Sequence, residues 1–306
     1  MPKVSIVILN HNGSSVVLRC LSSIFSLAWT DVEVLVVDNA STDGSVDQIT
    51  QQFGDRVRVI QRHINSPTAG RNEGFRAARG EYVLSLDNDI VLSDPMILQK
   101  AAAILERFPK IGVLAFKIGS LDRPQEPLAE HWWHPVPLHP GKNRFFYSDW
   151  FAEGAALFRF TALYATNGYD EDLFHGFECV DLALRLLEKG FDILYCPNLT
   201  CAELRLRGWH HVVRNQINYL TLRNKLWTVW KDFPLSKGLY FAATRIGMEG
   251  IRALRYGWTD LWIAAVREGI AAPRVIRQKR QPIAPTTWKR IGQIRRGLFC
   301  PEAASV

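Results

Sequence analysis

Tyr82-Val83-Leu84-Ser85-Leu86-Asp87-Asn88-Asp89 reads as an apolar strand that ends in two carboxylates one residue apart. A short apolar run closed by turn residues suits a strand covered on both faces, as in a parallel sheet. Such sheets bind ligands at the C-terminal ends of their strands. In an extended segment residues i and i+2 point the same way, so Asp87 and Asp89 can address one ligand. Oxygen-only ligation suits Mg²⁺ or Mn²⁺, which take one or two carboxylates together with phosphate oxygens and water. The same triplet also suits a turn with capping residues, so by itself it leaves both readings open.

Upstream, Val4-Ser5-Ile6-Val7-Ile8-Leu9 predicts a buried strand, and Val17, Leu18, Leu21, Ile24 and Phe25 predict a helix opening at Ser14 or Ser15. Val34-Leu35-Val36-Val37 predicts a second strand ending in Asp38, followed by the turn Asn39-Ala40-Ser41-Thr42-Asp43-Gly44. A strand over 57–60 and a helix over 69–79 closed by Gly80 complete the run into the Asp87 strand. Downstream, the patterns predict a helix over 94–108, strands at 112–116, 154–158 and 193–196, and a helix over 178–189 closed by Gly190. Residues 119–150, rich in Pro, His and Trp, read as a long functional loop. Regular alternation of this kind implies an α/β fold, a mostly parallel sheet with helices on both faces. Asp38 and Asp87 then share one rim.

The chain has 306 residues, enough for one large or two modest domains, and a formal net charge of +7. That charge is uneven. Residues 205–300 hold 19 Lys and Arg against 4 Asp and Glu, a local +15, which leaves −8 on the rest. A basic end of this kind is expected to meet something anionic. Five scattered cysteines and an N-terminus that runs straight into a strand point to a reducing cytosolic compartment. No run of about 18 uncharged apolar residues is present, so membrane contact is expected from one side only.

Five ordered blocks resemble family 2 glycosyltransferases of the GT-A fold, in particular the bacterial rhamnosyltransferase-like branch, over roughly residues 3–230. They are Val4 to Asn12, Val36 to Ser45, Asn65-Ser66-Pro67-Thr68-Ala69-Gly70-Arg71-Asn72-Glu73-Gly74, Asp87-Asn88-Asp89, and Gly168-Tyr169-Asp170-Glu171 through Glu178-Cys179-Val180-Asp181-Leu182-Ala183-Leu184-Arg185. Independently of the resemblance, Asp38 at a strand end can accept hydrogen bonds from a nucleobase or ribose, or can cap the next helix. Arg71 and Asn72 near a helix start can meet a phosphate or base, or Arg71 can be a solvated charge. The resemblance implies that Asn10, Asn12, Asp38, Arg71, Asn72 and Asp87 surround a donor nucleotide. It also implies that Asp89 holds a divalent metal, Mg²⁺ or Mn²⁺, which neutralises the departing diphosphate.

Transfer with inversion needs a carboxylate to take the acceptor's proton, and the family supplies it in a Glu-Asp pair. Here that pair is Glu178-Cys179. A thiol is a poor substitute, so Glu178 is the favoured base, Asp181 one turn along is the second choice, and impaired activity is the third. Glu178 could instead serve only the helix dipole. Where relatives carry a metal-binding histidine after the last strand, this chain has Pro197-Asn198-Leu199-Thr200-Cys201-Ala202-Glu203, so Glu203 is the expected ligand, with His210 or His211 as alternatives. A zinc site from Cys196, Cys201, His210 and His211 has poor spacing. Arg223-Asn224 matches a pair in relatives whose role the sequence does not reveal.

The expected division is a catalytic domain over 1–205, with a nucleotide-sugar half to about 118 and an acceptor half beyond it, and a helical, basic, Trp-rich extension over 206–306. Trp258, Trp262 and Val266 could line an apolar stripe flanked by Arg252, Arg255 and Arg267, as in helices that lie on an anionic membrane. The alternative is helices packed on the catalytic domain. No nucleic-acid module is present. The resemblance implies an enzyme that moves a sugar, with rhamnose or another hexose as first guess, from a nucleoside diphosphate to a glycan or lipid-linked hydroxyl. With the basic extension it leads to the expectation of a cytoplasmic protein peripheral on the inner membrane face. The competing readings are a catalytically impaired nucleotide-sugar-binding scaffold and a sugar-phosphate nucleotidyltransferase. A dehydrogenase is disfavoured because no Gly-x-Gly-x-x-Gly follows the first strand.

Overall fold

The computed structural model describes residues 3–204, 214–300 and 302–303. Its strands are β1 (Val4–Asn10), β2 (Val32–Asn39), β3 (Arg58–Arg62), β4 (Tyr82–Asp87), β5 (Ile90–Val91), β6 (Ile111–Ser120), β7 (Arg123–Pro127), β8 (Phe146–Ser148), β9 (Ala155–Arg159) and β10 (Asp192–Glu203). They form one sheet in the order β3-β2-β1-β4-β9-β6-β10-β5, with β7 beside β6 and β8 beside β10. The pairs β3–β2, β2–β1, β1–β4 and β6–β10 are parallel. Strand β9 runs antiparallel to both β4 and β6, so it joins two parallel groups that point the same way.

The α/β expectation holds because each inner strand is apolar on both faces and therefore needs helices on both sides. Val4, Ile6, Val7 and Ile8 of β1, and Val83, Leu84 and Leu86 of β4, are fully buried. Register then puts the chemistry on one rim: Asn10 pairs with Asp38, and Leu9 with Asp87. Strand β10 runs seven residues further than the apolar pattern over 193–196 indicated, through an irregularity between Cys196 and Thr200, so that Glu203 pairs with Ile90 of β5. Pro197 and the polar Asn198 break the alternation there, and backbone pairing with β6 carries the strand on.

Two other expectations are corrected. Residues 119–150 are not a plain loop: they contain the end of β6, the β7 hairpin, short helical turns and β8. Buried Val136, Phe146 and Tyr195 form a small cluster there under Trp132. Gly80 does not cap the preceding helix, which ends at Ala77 with Ala78 extended. Its lack of a side chain serves a close approach, since a Cβ there would stand 2.6 Å from the Ser5 backbone nitrogen.

The extension comprises helices Arg214–Asp232, Leu235–Tyr256, Thr259–Ala271, Arg274–Gln278 and Pro285–Ile294. It is tied into the catalytic part. Tyr147 N donates to Leu298 O, Cys300 N donates to Phe145 O, and Cys300 and Ala303 join the main core. The tryptophans are mostly inside rather than forming a surface stripe: Trp258 is buried, Trp262 packs on Gly250 and donates to Ile246 O, and Trp288 packs edge-on against Phe233. Large aromatic rings placed between helices bury the most apolar area. All five cysteines are buried free thiols.

Candidate active site

The rim carries a carboxylate cluster. Asp87 closes β4 and is 41% exposed, whereas Asp89 is largely buried beside it. Leu204 N donates to Asp89 O at 2.7 Å, which locks the end of β10 against the triplet and brings Glu203 to Asp89. Burial, then Asp87, then Glu203 push the Asp89 carboxyl up to about 7, partly offset by a backbone hydrogen bond and by His131. His131 Nε2 lies 2.9 Å from Glu203 Oε2. Burial lowers the pKa of this imidazole, but the Glu203 contact and the charges of Asp87 and Asp89 outweigh that and raise it overall. Three carboxylates that feel one another's charge on one rim have the oxygen chemistry a hard divalent cation takes, although their oxygens do not all lie within 4.8 Å of one another. Asp87, Asp89 and Glu203 would hold it, with His131 as a fourth group. His131 was not foreseen in the sequence, because it reaches the rim from the irregular segment after β7. His210 and His211 lie outside the described residues.

Beside the carboxylates lies a polar hub. Asn10 Nδ2 donates to Asp38 Oδ1 at 3.1 Å and to Ser45 Oγ at 2.9 Å, and Asn10 Oδ1 accepts from Asn88 Nδ2 at 2.8 Å. Asn10 is wholly buried, so it positions Asp38 and Asn88 and has no side-chain atom facing a ligand. Asp38 also accepts from Ser41 N, and each of its oxygens keeps a lone pair for a further donor. Asn12 sits exposed at the edge in a left-handed conformation, its Oδ1 accepting from Thr42 N at 2.8 Å.

Arg71 and Asn72 lie inside the helix Pro67–Ala77, one turn past its start, and both are buried. Arg71 runs beneath the rim. Its Nη1 donates to Ser85 Oγ at 2.7 Å, its Nη2 donates to Asp87 Oδ1, and its Nε lies 2.5 Å from Glu153 Oε1, off the hydrogen-bonding line. Burial opposes the guanidinium charge, but Glu153 and Asp87 outweigh it and raise the pKa. Asn72 clamps the segment after the helix Phe160–Thr166: its Nδ2 donates to Tyr169 O and Glu171 Oε1, and its Oδ1 accepts from Tyr169 N. The expected donor contacts of both are therefore corrected to support roles, because their polar atoms are spent inside the protein.

Glu178 opens the helix Glu178–Glu188 as expected, yet it is only 4% exposed. Burial, then the charge and hydrogen bond of Glu153, push its carboxyl well above the usual range. Burial, then Glu178 and Glu153, also hold the Cys179 thiol well above its ordinary value. Carboxylate oxygens of Glu153 and Glu178 and the Cys179 sulfur lie within 4.8 Å of one another, the single such group among the described residues. With the Arg71 guanidinium against Glu153, a second cation is disfavoured there. Asp181 is removed from the site. It is 0% exposed, accepts from Arg185 Nε at 2.9 Å and Nη2 at 2.7 Å, and pairs with Lys231 at 2.5 Å. Burial would raise its pKa, but Arg185 and Lys231 hold it far below the carboxylate range. The drawn zinc set fails among the described residues: Cys196 Sγ faces Leu194 O and Cys201 Sγ faces Lys117 O, both inside the sheet.

Asn224 acquires a role that the sequence did not reveal. Its Nδ2 reaches Leu173 O, His175 O and Gly176 O at 2.7, 3.0 and 2.5 Å, and so fixes the loop before Glu178. Phe174, Gly176 and Phe177 all adopt left-handed φ in that loop. Arg223 stacks 4.2 Å over Trp227 and donates to Leu173 O.

Comparison with known proteins agrees with the fold. TarS of S. aureus, residues 1–349 in complex with UDP-GlcNAc, superposes with a TM-score of 0.64 at 19% identity, covering 91% of this chain and 84% of that one. A mannosyltransferase of Pyrobaculum calidifontis, PcManGT, in complex with GDP-Man and Mn²⁺, gives 0.57 at 16% identity over 95% and 79%. At such identities the likeness shows the fold, the GT-A arrangement expected from the sequence. EpsE of Bacillus subtilis (strain 168), provisionally named a glycosyltransferase, is 28% identical over 252 residues, 79% of this chain and 87% of its own length. The uncharacterised glycosyltransferase alr2836 of Nostoc sp. is 34% identical over 115 residues, and that match spans only 35% of its length. The sequence model of Glycosyl transferase family 2 matches residues 5–165, more than half of the chain. The chain belongs to glycosyl transferase family 2.

Proposed function

We propose that the protein is an inverting hexosyltransferase that moves a sugar from a nucleoside diphosphate to a hydroxyl of a glycan or lipid-linked acceptor in surface-polysaccharide synthesis, with rhamnose from dTDP as the first donor to test. The carrying observation is the grouping of Asp87, Asp89 and Glu203 at strand ends, with His131 against Glu203, beside the Asn10–Asp38 hub. Asp38 and the edge residue Asn12 would face the nucleoside, and Asp87 the ribose side. Asp89 and Glu203 would hold Mg²⁺ or Mn²⁺, which supplies charge to a departing diphosphate. Acceptor activation falls to the carboxyl pair Glu153 and Glu178.

Incubation with Mn²⁺ and UDP-, GDP- and dTDP-sugars, with nucleotide release as the readout, tests this reading. Metal-dependent release is expected. Binding of nucleotide without release across donors and acceptors would favour the scaffold reading, and formation of nucleotide sugar from sugar phosphate and nucleoside triphosphate would favour a nucleotidyltransferase.

An anionic membrane surface is the partner proposed for the extension, which would place the enzyme on the cytoplasmic face. Among the described residues no helix is long and apolar enough to cross a membrane. The supporting surface is the helix Leu235–Tyr256, not the tryptophans. Tyr240, Ile251 and Leu254 are 75%, 69% and 75% exposed along one side, with Leu239 and Met248 near by. Exposed Lys237, Arg252 and Arg255 flank them, while the helix's one acid, Glu249, is paired with Lys225. The protein is expected to co-sediment with vesicles containing phosphatidylglycerol at low salt and poorly with phosphatidylcholine alone, since each basic residue near an anionic surface contributes about 1 kcal/mol. Ile251→Asp/Leu254→Asp should cut that binding at least about tenfold. Binding unchanged in this variant would remove the helix from the surface.

A further inference from the structure

We infer that Glu153, and not a side chain of the Glu178–Glu188 helix, takes the proton from the attacking hydroxyl. The inference rests on the transferase reading above. Four observations carry it.

First, the helix position where the family pattern has an aspartate holds Cys179, 6% exposed and with its thiol protonated. Second, Glu153 places a carboxylate within 4.8 Å of the Cys179 sulfur, so the charge missing from the helix is supplied from the facing chain. Third, Glu153 is fixed to the metal-side rim. Gly154, next to it, lies opposite Asp87: Asp87 N donates to Gly154 O at 3.0 Å, and a Cβ on Gly154 would stand 2.9 Å from Asp87 Oδ2. Arg71 joins the Asp87 and Glu153 carboxylates from beneath. The proton acceptor and the aspartate beside the departing diphosphate thus ride on adjacent strand ends braced by one guanidinium.

Fourth, the two acids divide their labour. The Glu153 side chain is 13% exposed with its Oε1 2.5 Å from Arg71 Nε, whereas Glu178 is more deeply buried and its carboxyl is held well above the usual range. Two carboxyls in contact cannot both ionise cheaply, and the guanidinium of Arg71 stands against Glu153, the more accessible of the two. The Glu178 hydrogen bond to Glu153 then orients the base. In the reaction the acceptor O–H bond breaks with its proton passing to the Glu153 carboxylate. The freed oxygen bonds the anomeric carbon, and the electron pair of the cleaved carbon–oxygen bond leaves with the nucleoside diphosphate.

The test uses the full chain with Mn²⁺ and a nucleotide sugar turned over by the wild type, UDP binding by calorimetry serving as the check on an intact site. Glu153→Gln should lower kcat by about 10²–10⁴-fold, leave donor KM and UDP affinity within about threefold, and abolish the acid limb of the pH–rate profile. Glu153→Asp, which keeps a charge for Arg71, should retain the limb at reduced kcat and guards against a folding defect. Cys179→Asp in the Glu153→Gln background should recover at least about tenfold, by returning a carboxylate to the same space. Glu153→Gln activity within threefold of wild type would overturn the assignment. So would loss of the acid limb in Glu178→Gln with its retention in Glu153→Gln. A wild type that binds UDP but releases nucleotide from no donor overturns the transferase reading itself, and this assignment with it.

Discussion

Asp89→Asn is expected to reduce metal-dependent nucleotide release by about 10³-fold, because several kcal/mol of charge stabilisation at the departing diphosphate goes with the cation. The amide is nearly isosteric, so the backbone bond from Leu204 N to Asp89 O should persist and the fold with it. Thermal unfolding separates the effects. In the wild type without metal, Asp87, Asp89 and Glu203 repel one another, and the Asn variant relieves that repulsion. Its melting temperature without metal should match or exceed wild type, while the rise on adding Mn²⁺ should vanish. A rise of wild-type size in the variant would show that Asp89 holds no metal.

The same carboxyl sets a pH dependence. Its folded pKa of about 7 lies above the value of 3.8 for a free side chain, so the folded state holds the proton more tightly. Stability from this group is full below about pH 4 and is lost as pH rises toward 7, in the absence of metal. Mn²⁺ must displace that proton. Its affinity should therefore climb up to about tenfold per pH unit toward pH 7 and level off above it, as titration calorimetry at several pH values would reveal.

Asp181→Ala should cost about 3–5 kcal/mol of stability, since it removes the wholly buried carboxylate shared by Arg185 and Lys231. Lys231 also pairs with Asp170, and Lys279 lies 2.5 Å from Asp170 and 2.7 Å from Asp172, so this network joins three segments: the Asp170 turn, the Glu178 helix and the extension. Urea unfolding measures the loss. Asp181 and Asp170 both have lowered pKa values, so their contribution is present above the free-acid value and disappears as pH falls through the folded values. The wild type should accordingly show a steeper acid-unfolding limb than the variant, which keeps only the Asp170 part of it. Asp181→Asn should keep turnover per folded molecule close to wild type, an outcome opposite to the one a proton acceptor would give.

The strand ends were readable for a simple reason. Residues 82–86 and 4–9 are apolar on both faces, a pattern that only a covered sheet satisfies, and the first polar residue after each is forced to the rim. Asn10 and Asp87 follow from that rule, Asp38 from the same rule applied to the apolar run 34–37, and Asp89 from its i+2 spacing from Asp87. Glu203 was readable as a ligand only through the family pattern, because the irregular part of β10 hides its strand.

Arg71, Asn72 and Asp181 show the opposite limit. Their types are equally at home against a ligand or inside a satisfied buried network, and local spacing cannot tell which partners arrive from about 15 to 100 residues away. The tryptophans of the extension misled in the same way: helical spacing reveals a stripe but not whether a neighbour covers it. Trp258 is covered, and the stripe through Tyr240, Ile251 and Leu254 is not.

By itself, then, the sequence determined the layered α/β fold, the carboxylate-bearing rim and the departure at Glu178-Cys179, since each depends on residues close in the chain. The tertiary structure decided which carboxyl is accessible, which is pushed above the usual range and which is spent on an ion pair. Strand β9 entering antiparallel between β4 and β6 carries Glu153 to Arg71 and to the Cys179 thiol, and the irregular segment after β7 carries His131 to Glu203. Protonation and exposure depend on burial and on charges across the sheet, and those are properties of the assembled neighbourhood rather than of any one stretch of chain.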